Sequence, residues 1–63
     1  MEGECIFTVD GVNYKAIFYY GYNNHYYATI YNDDTGAYLG QINDITQGES
    51  STQKRLNNFV QSL

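Results

Sequence analysis

Proline and tryptophan are absent from this chain, and cysteine, histidine and cationic residues are scarce. Because Cys5 is the single cysteine, an internal disulfide is excluded. His25 is the single histidine and has no cysteine near it, so the usual zinc-ligand spacings are excluded too. The sequence therefore predicts a protein with no metal site, no cofactor and no disulfide framework.

The balance of charge argues against nucleic acid as a direct partner. Seven acidic residues stand against Lys15, Lys54 and Arg55, which leaves a net charge of −4. Direct binding to a nucleic-acid backbone needs clustered cations that release counterions, so we expect no direct nucleic-acid partner. The acidic start, MEGEC, and the lack of a long apolar run predict neither a signal peptide nor a membrane span. With a free thiol and no targeting segment, we expect a cytoplasmic protein.

The size and composition predict one small folded domain over residues 1–63. The apolar fraction of 43% is ordinary for a folded protein, and the aromatic fraction of 17% is high. A chain of this length buries only about 60% of the surface that its unfolded form exposes. Association with a partner or with a second copy is the expected source of additional stability, and an unassisted monomer stays open as an alternative.

A β-hairpin is predicted at the start of the chain, from strands at about 4–9 and 12–20. Asp10-Gly11 between them is a pair that tolerates positive φ at both positions of a two-residue turn. This turn places Val9 opposite Val12, so strand alternation assigns each side chain to a face. The face expected to form the core carries Cys5, Phe7, Val9, Val12, Tyr14, Ala16, Phe18 and Tyr20.

A second hairpin is predicted from strands at about 25–31 and 37–42. Gly21–Asn24 supplies the turn before it, and Asn32–Gly36 supplies the turn within it. The aliphatic set, expected to face the core, is Tyr26, Ala28, Ile30 and Leu39. The opposite set, expected to face away from the core, is Tyr27, Thr29, Tyr31, Tyr38 and Ile42.

An amphipathic helix is predicted at about 51–62. Ser50 to Gln53 fits a capping box, in which the serine oxygen accepts from a helical amide and Gln53 reaches back. Leu56, Phe59, Val60 and Leu63 recur at helical spacing and form one apolar stripe. Because a short helix is marginal alone, the stripe must pack on the sheet or on another chain. The predicted fold class is α+β, a four-stranded antiparallel meander with one C-terminal helix on one face (ββββα).

Two groups of side chains are candidates for partner binding. The first is the row of tyrosines on the face away from the helix, Tyr19, Tyr27, Tyr31 and Tyr38. Tyrosine is enriched at interfaces, although cross-strand ring pairing that only stabilises the sheet is the alternative. The second group is the acidic tip, Asp10, Asp33 and Asp34, which the meander gathers at one end. Such a tip can imitate nucleic-acid phosphates, whereas the alternative is that these residues only form turns and aid solubility.

The sequence predicts no catalytic residues. Cys5 lies on the apolar hairpin face and is expected to be a small buried hydrophobe, and His25 opens a strand beside a polar turn and is expected to be exposed. No nucleophile motif, paired carboxylate motif or phosphate-binding glycine loop is present. A base-stacking platform is disfavoured because Lys15 is the single cation expected on the sheet. We therefore predict a protein that is not an enzyme.

Part of the chain resembles the N-terminal domain of HicB-type antitoxins. The similar segments are Tyr26–Tyr31 (YYATIY), Asp33–Tyr38 (DDTGAY), Ile42–Asp44 (IND), Thr46–Ser50 (TQGES) and the amphipathic helix after them. The resemblance covers residues 26–63, and the chain lacks the Pro-Gly that usually follows the second strand in that family. It implies a domain that blocks a protein partner in a cytoplasmic toxin–antitoxin setting.

In size, acidity and lack of enzymatic motifs, the chain is also similar to phage-encoded inhibitors of the anti-CRISPR type. We therefore expect a small acidic protein that blocks a larger protein partner by contact, for example a partner with a basic nucleic-acid-binding groove. The alternatives are a HicB-like antitoxin domain and a self-associating module that buries its tyrosines in a homodimer. A membrane partner is not expected.

Overall fold

A computed structural model describes residues 3–21, 23 and 25–63. Its elements are strands β1 (Gly3–Val9), β2 (Val12–Tyr20), β3 (Tyr26–Asn32) and β4 (Tyr38–Asn43) and helix α1 (Thr52–Gln61). The strands form one antiparallel sheet in the order β1-β2-β3-β4, and the helix packs on one of its faces. The predicted ββββα fold is confirmed, with element boundaries that differ from the predicted ones by at most one residue. Glu2 and two residues of the predicted turn, Tyr22 and Asn24, lie outside the described residues.

The first hairpin forms as its turn residues predict. Asp10 has φ +52° and Gly11 has φ +80°, the left-handed backbone that a type I′ two-residue turn requires at both positions. The turn sets the predicted register, in which Val9 lies opposite Val12 and continues without interruption to Gly3 opposite Phe18. Alternation along β1 and β2 therefore determines which side chains face α1.

Strand β4 contains an irregularity that reverses part of its predicted alternation. Tyr31 lies opposite Tyr38 while the preceding residue, Ile30, lies opposite Gly40, so Leu39 is an extra residue in β4. Tyr38 and Leu39 keep their predicted faces, but beyond the bulge Ile42 points to the core and is only 8% exposed. The prediction that Ile42 faces outward is therefore wrong, because it assumed uninterrupted alternation.

The core lies between the sheet and α1. Its buried members are Phe7, Val9, Ala16, Phe18, Ala28, Ile30, Ile42, Ile45, Leu56 and Val60. Ile45 comes from the loop after β4, a segment for which the sequence predicted no core residue. Two predicted core residues are exposed instead, Tyr20 at 47% and Leu63 at 68%. Tyr20 lies at the end of the sheet outside the buried cluster, and Leu63 follows the end of α1.

The start of α1 is held differently from the predicted capping box. Ser51 is the N-cap residue and its side chain makes no capping hydrogen bond, while Gln53 Nε2 donates to Asn57 Oδ1. The contact that fixes the helix start is the Thr52 hydroxyl, which donates to the Thr46 carbonyl at 2.6 Å. Further along, the Arg55 guanidinium donates to the carbonyl oxygens at the end of β4. These tertiary hydrogen bonds replace a local cap.

Among the described residues, no helix combines the length and apolar character needed to cross a membrane.

Candidate functional site

We call the face of the sheet opposite α1 the tyrosine face. It carries the four predicted tyrosines, Tyr19, Tyr27, Tyr31 and Tyr38. The register arranges its side chains in rows that run across the strands. One row carries Ile6, Lys15, Tyr31 and Tyr38, the next carries Glu4, Ile17, Thr29 and Gln41, and the third carries Tyr19, Tyr27 and Asn43. Two rows that contain tyrosines thus lie on either side of a row with smaller side chains.

The four tyrosines form two cross-strand ring pairs. Tyr19 and Tyr27 stack with their centroids 5.1 Å apart and an interplanar angle of 17°. Tyr31 and Tyr38 meet edge to face, with centroids 5.6 Å apart. Lys15 extends over the Tyr31 ring, with its Nζ 5.6 Å from the centroid. Such pairs stabilise a sheet and also hold each ring in one orientation, so the tyrosine face is preorganised.

The tyrosine face is accessible where it reaches the edges of the sheet. Tyr38 on β4 is 59% exposed and Ile6 on β1 is 55% exposed, although both are large and apolar. Tyr19, Tyr27 and Tyr31 are half-buried by their neighbours in the sheet. No described element of the chain packs over these rows, since α1 and the core cluster occupy the other face. The result is an aromatic surface across β2, β3 and β4, which Ile6 extends onto β1.

Thr29 lies at the centre of the tyrosine face and has an unusual environment. Its hydroxyl oxygen is buried and has no hydrogen-bond partner among the described residues. The register places Thr29 between Ile17 and Gln41 across the sheet, and between Tyr27 and Tyr31 along β3. A buried hydroxyl without a partner costs about 1–3 kcal/mol of stability.

Replacing this hydroxyl with a methyl group is expected to stabilise the protein. Thr29→Val keeps the branched shape that suits a strand and removes the unpaired oxygen, so we expect the free energy of unfolding to rise by about 1 kcal/mol. Thr8→Val is the matched control, because the Thr8 hydroxyl donates to Asn13 Oδ1 at 2.7 Å on the exposed end of the same sheet. Urea denaturation of both variants tests the prediction, which is contradicted if Thr29→Val leaves stability unchanged or lowers it.

The acidic tip is present at one end of the sheet. Asp10, Asp33 and Asp34 are all exposed, and the Asp33 amide donates to the Asn13 carbonyl at 2.9 Å, which ties the second turn to the beginning of β2. Asn32 Oδ1 accepts from the amides of Asp34 and Thr35 at 2.9 Å and 3.0 Å. These aspartates therefore occupy turn positions, as the turn-forming alternative expected, and they also project three carboxylates into solvent.

A cleft lies at the opposite end of the sheet, where β3 begins and β4 ends. Its volume is about 460 Å³, and it is lined by Gly21, His25, Tyr26, Tyr27, Asn43 and Asp44, which together we call the end cleft. His25 Nδ1 lies 3.1 Å from Asp44 Oδ1. Because an ionised carboxylate only accepts, Nδ1 carries the proton of this hydrogen bond. His25 is exposed, as predicted, and this contact with Asp44 is new.

The end cleft was not predicted from the sequence. His25 and Asp44, whose side chains meet in it, are 19 positions apart, and no motif connects them. The signal was available in the pairing of the second hairpin, because residues just before one strand and just after its antiparallel partner meet at the open end. The amides of Asp44 and Ile45 both donate to the Tyr26 carbonyl, at 2.8 Å and 3.4 Å, which fixes that meeting.

Cys5 does not take part in either surface. It is partly buried on the core face of β1, and burial raises the pKa of its thiol. A raised pKa keeps the thiol protonated at neutral pH, where a nucleophile or a metal ligand needs the thiolate. Within residues 3–21, 23 and 25–63, no group of three or more histidine, cysteine or carboxylate side chains is arranged to hold a metal ion.

The arrangement thus offers the tyrosine face and the end cleft as surfaces for contact, and the side chains of His25 and Asp44 meet in the end cleft. The tyrosine face is rich in aromatic rings, and the end cleft adjoins it through Tyr27, which belongs to both. Comparison with protein-family models, with curated proteins and with solved structures finds no match to this chain. The resemblance to HicB-type antitoxins therefore stays an expectation from the sequence.

Proposed function

We propose that this chain is a small acidic binding protein that blocks a larger protein by contact through the tyrosine face, without chemistry of its own. The observation that carries the proposal is the pair of ordered tyrosine couples on a sheet face that no described element covers. Aromatic rings held in one orientation bind with little loss of side-chain entropy.

The charge around the tyrosine face supports a basic partner. Glu4 projects from the β1 side, the acidic tip lies at one end and Asp44 lies at the other. Within the described part of this face, Lys15 is the one cation, and it lies over a ring near the middle. A protein with a basic rim around an apolar centre would therefore be steered to this surface and held on it. Proteins that handle nucleic acid have such surfaces, and phage-type inhibitors in the cytoplasm are the class this combination fits.

Self-association and a HicB-like role are less well supported. In a homodimer through this face, the acidic groups around one tyrosine face would lie against the same groups of the second copy. Two chains that each carry a net charge of −4 would repel each other. The HicB resemblance begins at β3, but β3 pairs with β2 as fully as with β4. Residues 26–63 therefore share one sheet with the first hairpin, which has no clear counterpart in that resemblance.

Photocrosslinking from opposite faces tests the proposal. Tyr38 and Tyr20 are matched positions, because each is about half exposed and meets a neighbouring tyrosine edge to face, at 5.6 Å and 5.0 Å. A benzophenone amino acid is placed at one position or the other, and the protein is irradiated in a lysate of its native cells. We expect a larger protein to be crosslinked from position 38 and not from position 20. An excess of the protein without the benzophenone amino acid should suppress this crosslink.

Two outcomes would contradict the proposal. Equal crosslinking of the same proteins from both positions would show that the tyrosine face is not the site. A product of twice the mass of the chain, formed by the purified protein alone, would assign the face to a homodimer instead. Circular dichroism of each labelled protein verifies that the sheet is intact.

A further inference from the structure

The end cleft extends the tyrosine face around the end of β3, and its chemistry suits a particular kind of group. Tyr27 provides a ring surface beside Gly21, since a Cβ added to Gly21 would lie 3.8 Å from that ring, and Asp44 provides a carboxylate at the rim. The side chain of Asp44 is 75% exposed, and His25 occupies its Oδ1 only. The second carboxylate oxygen, Oδ2, has no hydrogen-bond partner among the described residues.

We propose that the end cleft receives an arginine side chain of the partner protein, an inference that rests on the proposed function. A guanidinium is planar and stacks on tyrosine rings, and it donates in a fork to carboxylates. Here it donates to Asp44 and lies against a tyrosine ring of the cleft. A lysine ammonium would reach the same carboxylate, but it lacks the flat surface that stacks on a tyrosine ring.

The cleft is held in place by contacts that do not occupy it. The Arg55 guanidinium of α1 donates to the carbonyl oxygens of Asn43 and Asp44, which ties the end of β4 to the helix. Arg55 is not among the residues that line the end cleft, and it lines a separate depression with Ile42 and Phe59. Gly21 N donates to the His25 carbonyl at 2.6 Å and closes the other side. These contacts fix the backbone on both sides of the cleft, and His25 Nδ1 meets the Asp44 carboxylate at Oδ1, which leaves Oδ2 available to a ligand.

Charge complementarity favours an arginine over a neutral or acidic group. The group at the rim of the cleft is a carboxylate, and the chain as a whole carries a formal net charge of −4. An anionic ligand would be repelled by the carboxylate of Asp44. A neutral ligand would bury this carboxylate without a charged partner. The acidic groups around the tyrosine face also favour a basic partner, so they and the end cleft both favour a positively charged ligand.

The test is a titration of the intact protein, followed by nuclear magnetic resonance, with N-acetyl-arginine amide as the probe. N-acetyl-citrulline amide is the matched control ligand, because it has nearly the same shape and no charge. We expect saturable shifts of the amide signals of His25, Tyr27 and Asp44 with the arginine probe, and affinity at least about fivefold weaker for citrulline. Equal affinity for the two probes, or no saturable shift at these residues, would overturn the inference.

Two variants sharpen the test. Asp44→Asn removes the charge and keeps a residue type that tolerates the positive φ of +57° at this position. Asp33→Asn removes the same charge at the opposite end of the sheet, on the acidic tip. We expect Asp44→Asn to lose the arginine response and Asp33→Asn to retain it, and an equal response in both would contradict the cleft as the site. If the probe fails while crosslinking from position 38 persists, the inference about the cleft fails and the proposed function stands.

Discussion

Gly40→Ala is expected to lower the free energy of unfolding by about 3 kcal/mol, from steric overlap and backbone strain together. Gly40 lies in β4 beside the bulge, with φ +153°, under the ring of Phe59. A Cβ at this position would come within 2.6 Å of Phe59 Cζ, far closer than ordinary contact. Either Phe59 leaves its packing or β4 moves, and both weaken the union of helix and sheet. Because a domain of this length is stable by only about 3–9 kcal/mol, the loss is a large fraction of the total.

Two further variants separate the causes of this loss. Gly36→Ala is the control for the backbone, since Gly36 has φ +78° and a Cβ added there would meet no atom within 4 Å. We expect it to cost about 1–2 kcal/mol, from the left-handed conformation alone. In a Phe59→Ala background, Gly40→Ala should cost less than in the wild type, because the overlap has been removed. Urea denaturation followed by circular dichroism measures all of these proteins, and a loss below about 0.5 kcal/mol for Gly40→Ala would contradict this view of the helix–sheet contact.

The first hairpin was predictable because its information is local. Asp10 and Gly11 determine the turn, the turn determines the register, and the register assigns every side chain of β1 and β2 to a face. Tyr19 and its neighbours followed from this alternation alone. The same reasoning worked for β3, where Tyr27 and Tyr31 lie on the predicted face. On that face Tyr27 is the cross-strand neighbour of Tyr19, and Tyr31 is the cross-strand neighbour of Lys15.

Strand β4 shows where alternation stops being sufficient. One extra residue, Leu39, shifts everything beyond it, so Ile42 is buried although its position in an uninterrupted strand would be outward. The available signal was Gly40, because a glycine inside a strand often marks a bulge or a close approach of another element. Both apply here, but a glycine alone does not tell which residue is inserted.

The helix start and the end cleft depend on contacts between distant parts of the chain. Ser50 and Gln53 match a capping pattern, yet Thr52 binds the Thr46 carbonyl instead and fixes the helix from the preceding loop. The contact between His25 and Asp44 follows from the meeting of two strand ends and from no local pattern. Propensity and motifs describe neighbours in sequence, so contacts of this kind become visible only with the register of the whole sheet.

The second large effect is expected in binding to the protein captured by crosslinking. Tyr38 is the most exposed ring of the tyrosine face, at 59%, and it is held edge-on by Tyr31. Such a ring enters an interface already oriented, and truncating an aromatic anchor of this kind typically costs about 1 kcal/mol or more. We expect Tyr38→Ala to weaken binding at least about tenfold, mainly through faster dissociation.

The claim that the tyrosine face is the binding surface is tested most directly by comparing two affinities for the captured partner. Tyr38→Ala and Tyr20→Ala each remove one half-exposed ring from an edge-to-face pair, but from opposite faces of the sheet. Isothermal titration calorimetry should show binding at least about tenfold weaker for Tyr38→Ala and within about twofold of wild type for Tyr20→Ala. Equal loss in both variants, or a loss confined to Tyr20→Ala, would contradict the assignment of binding to this face.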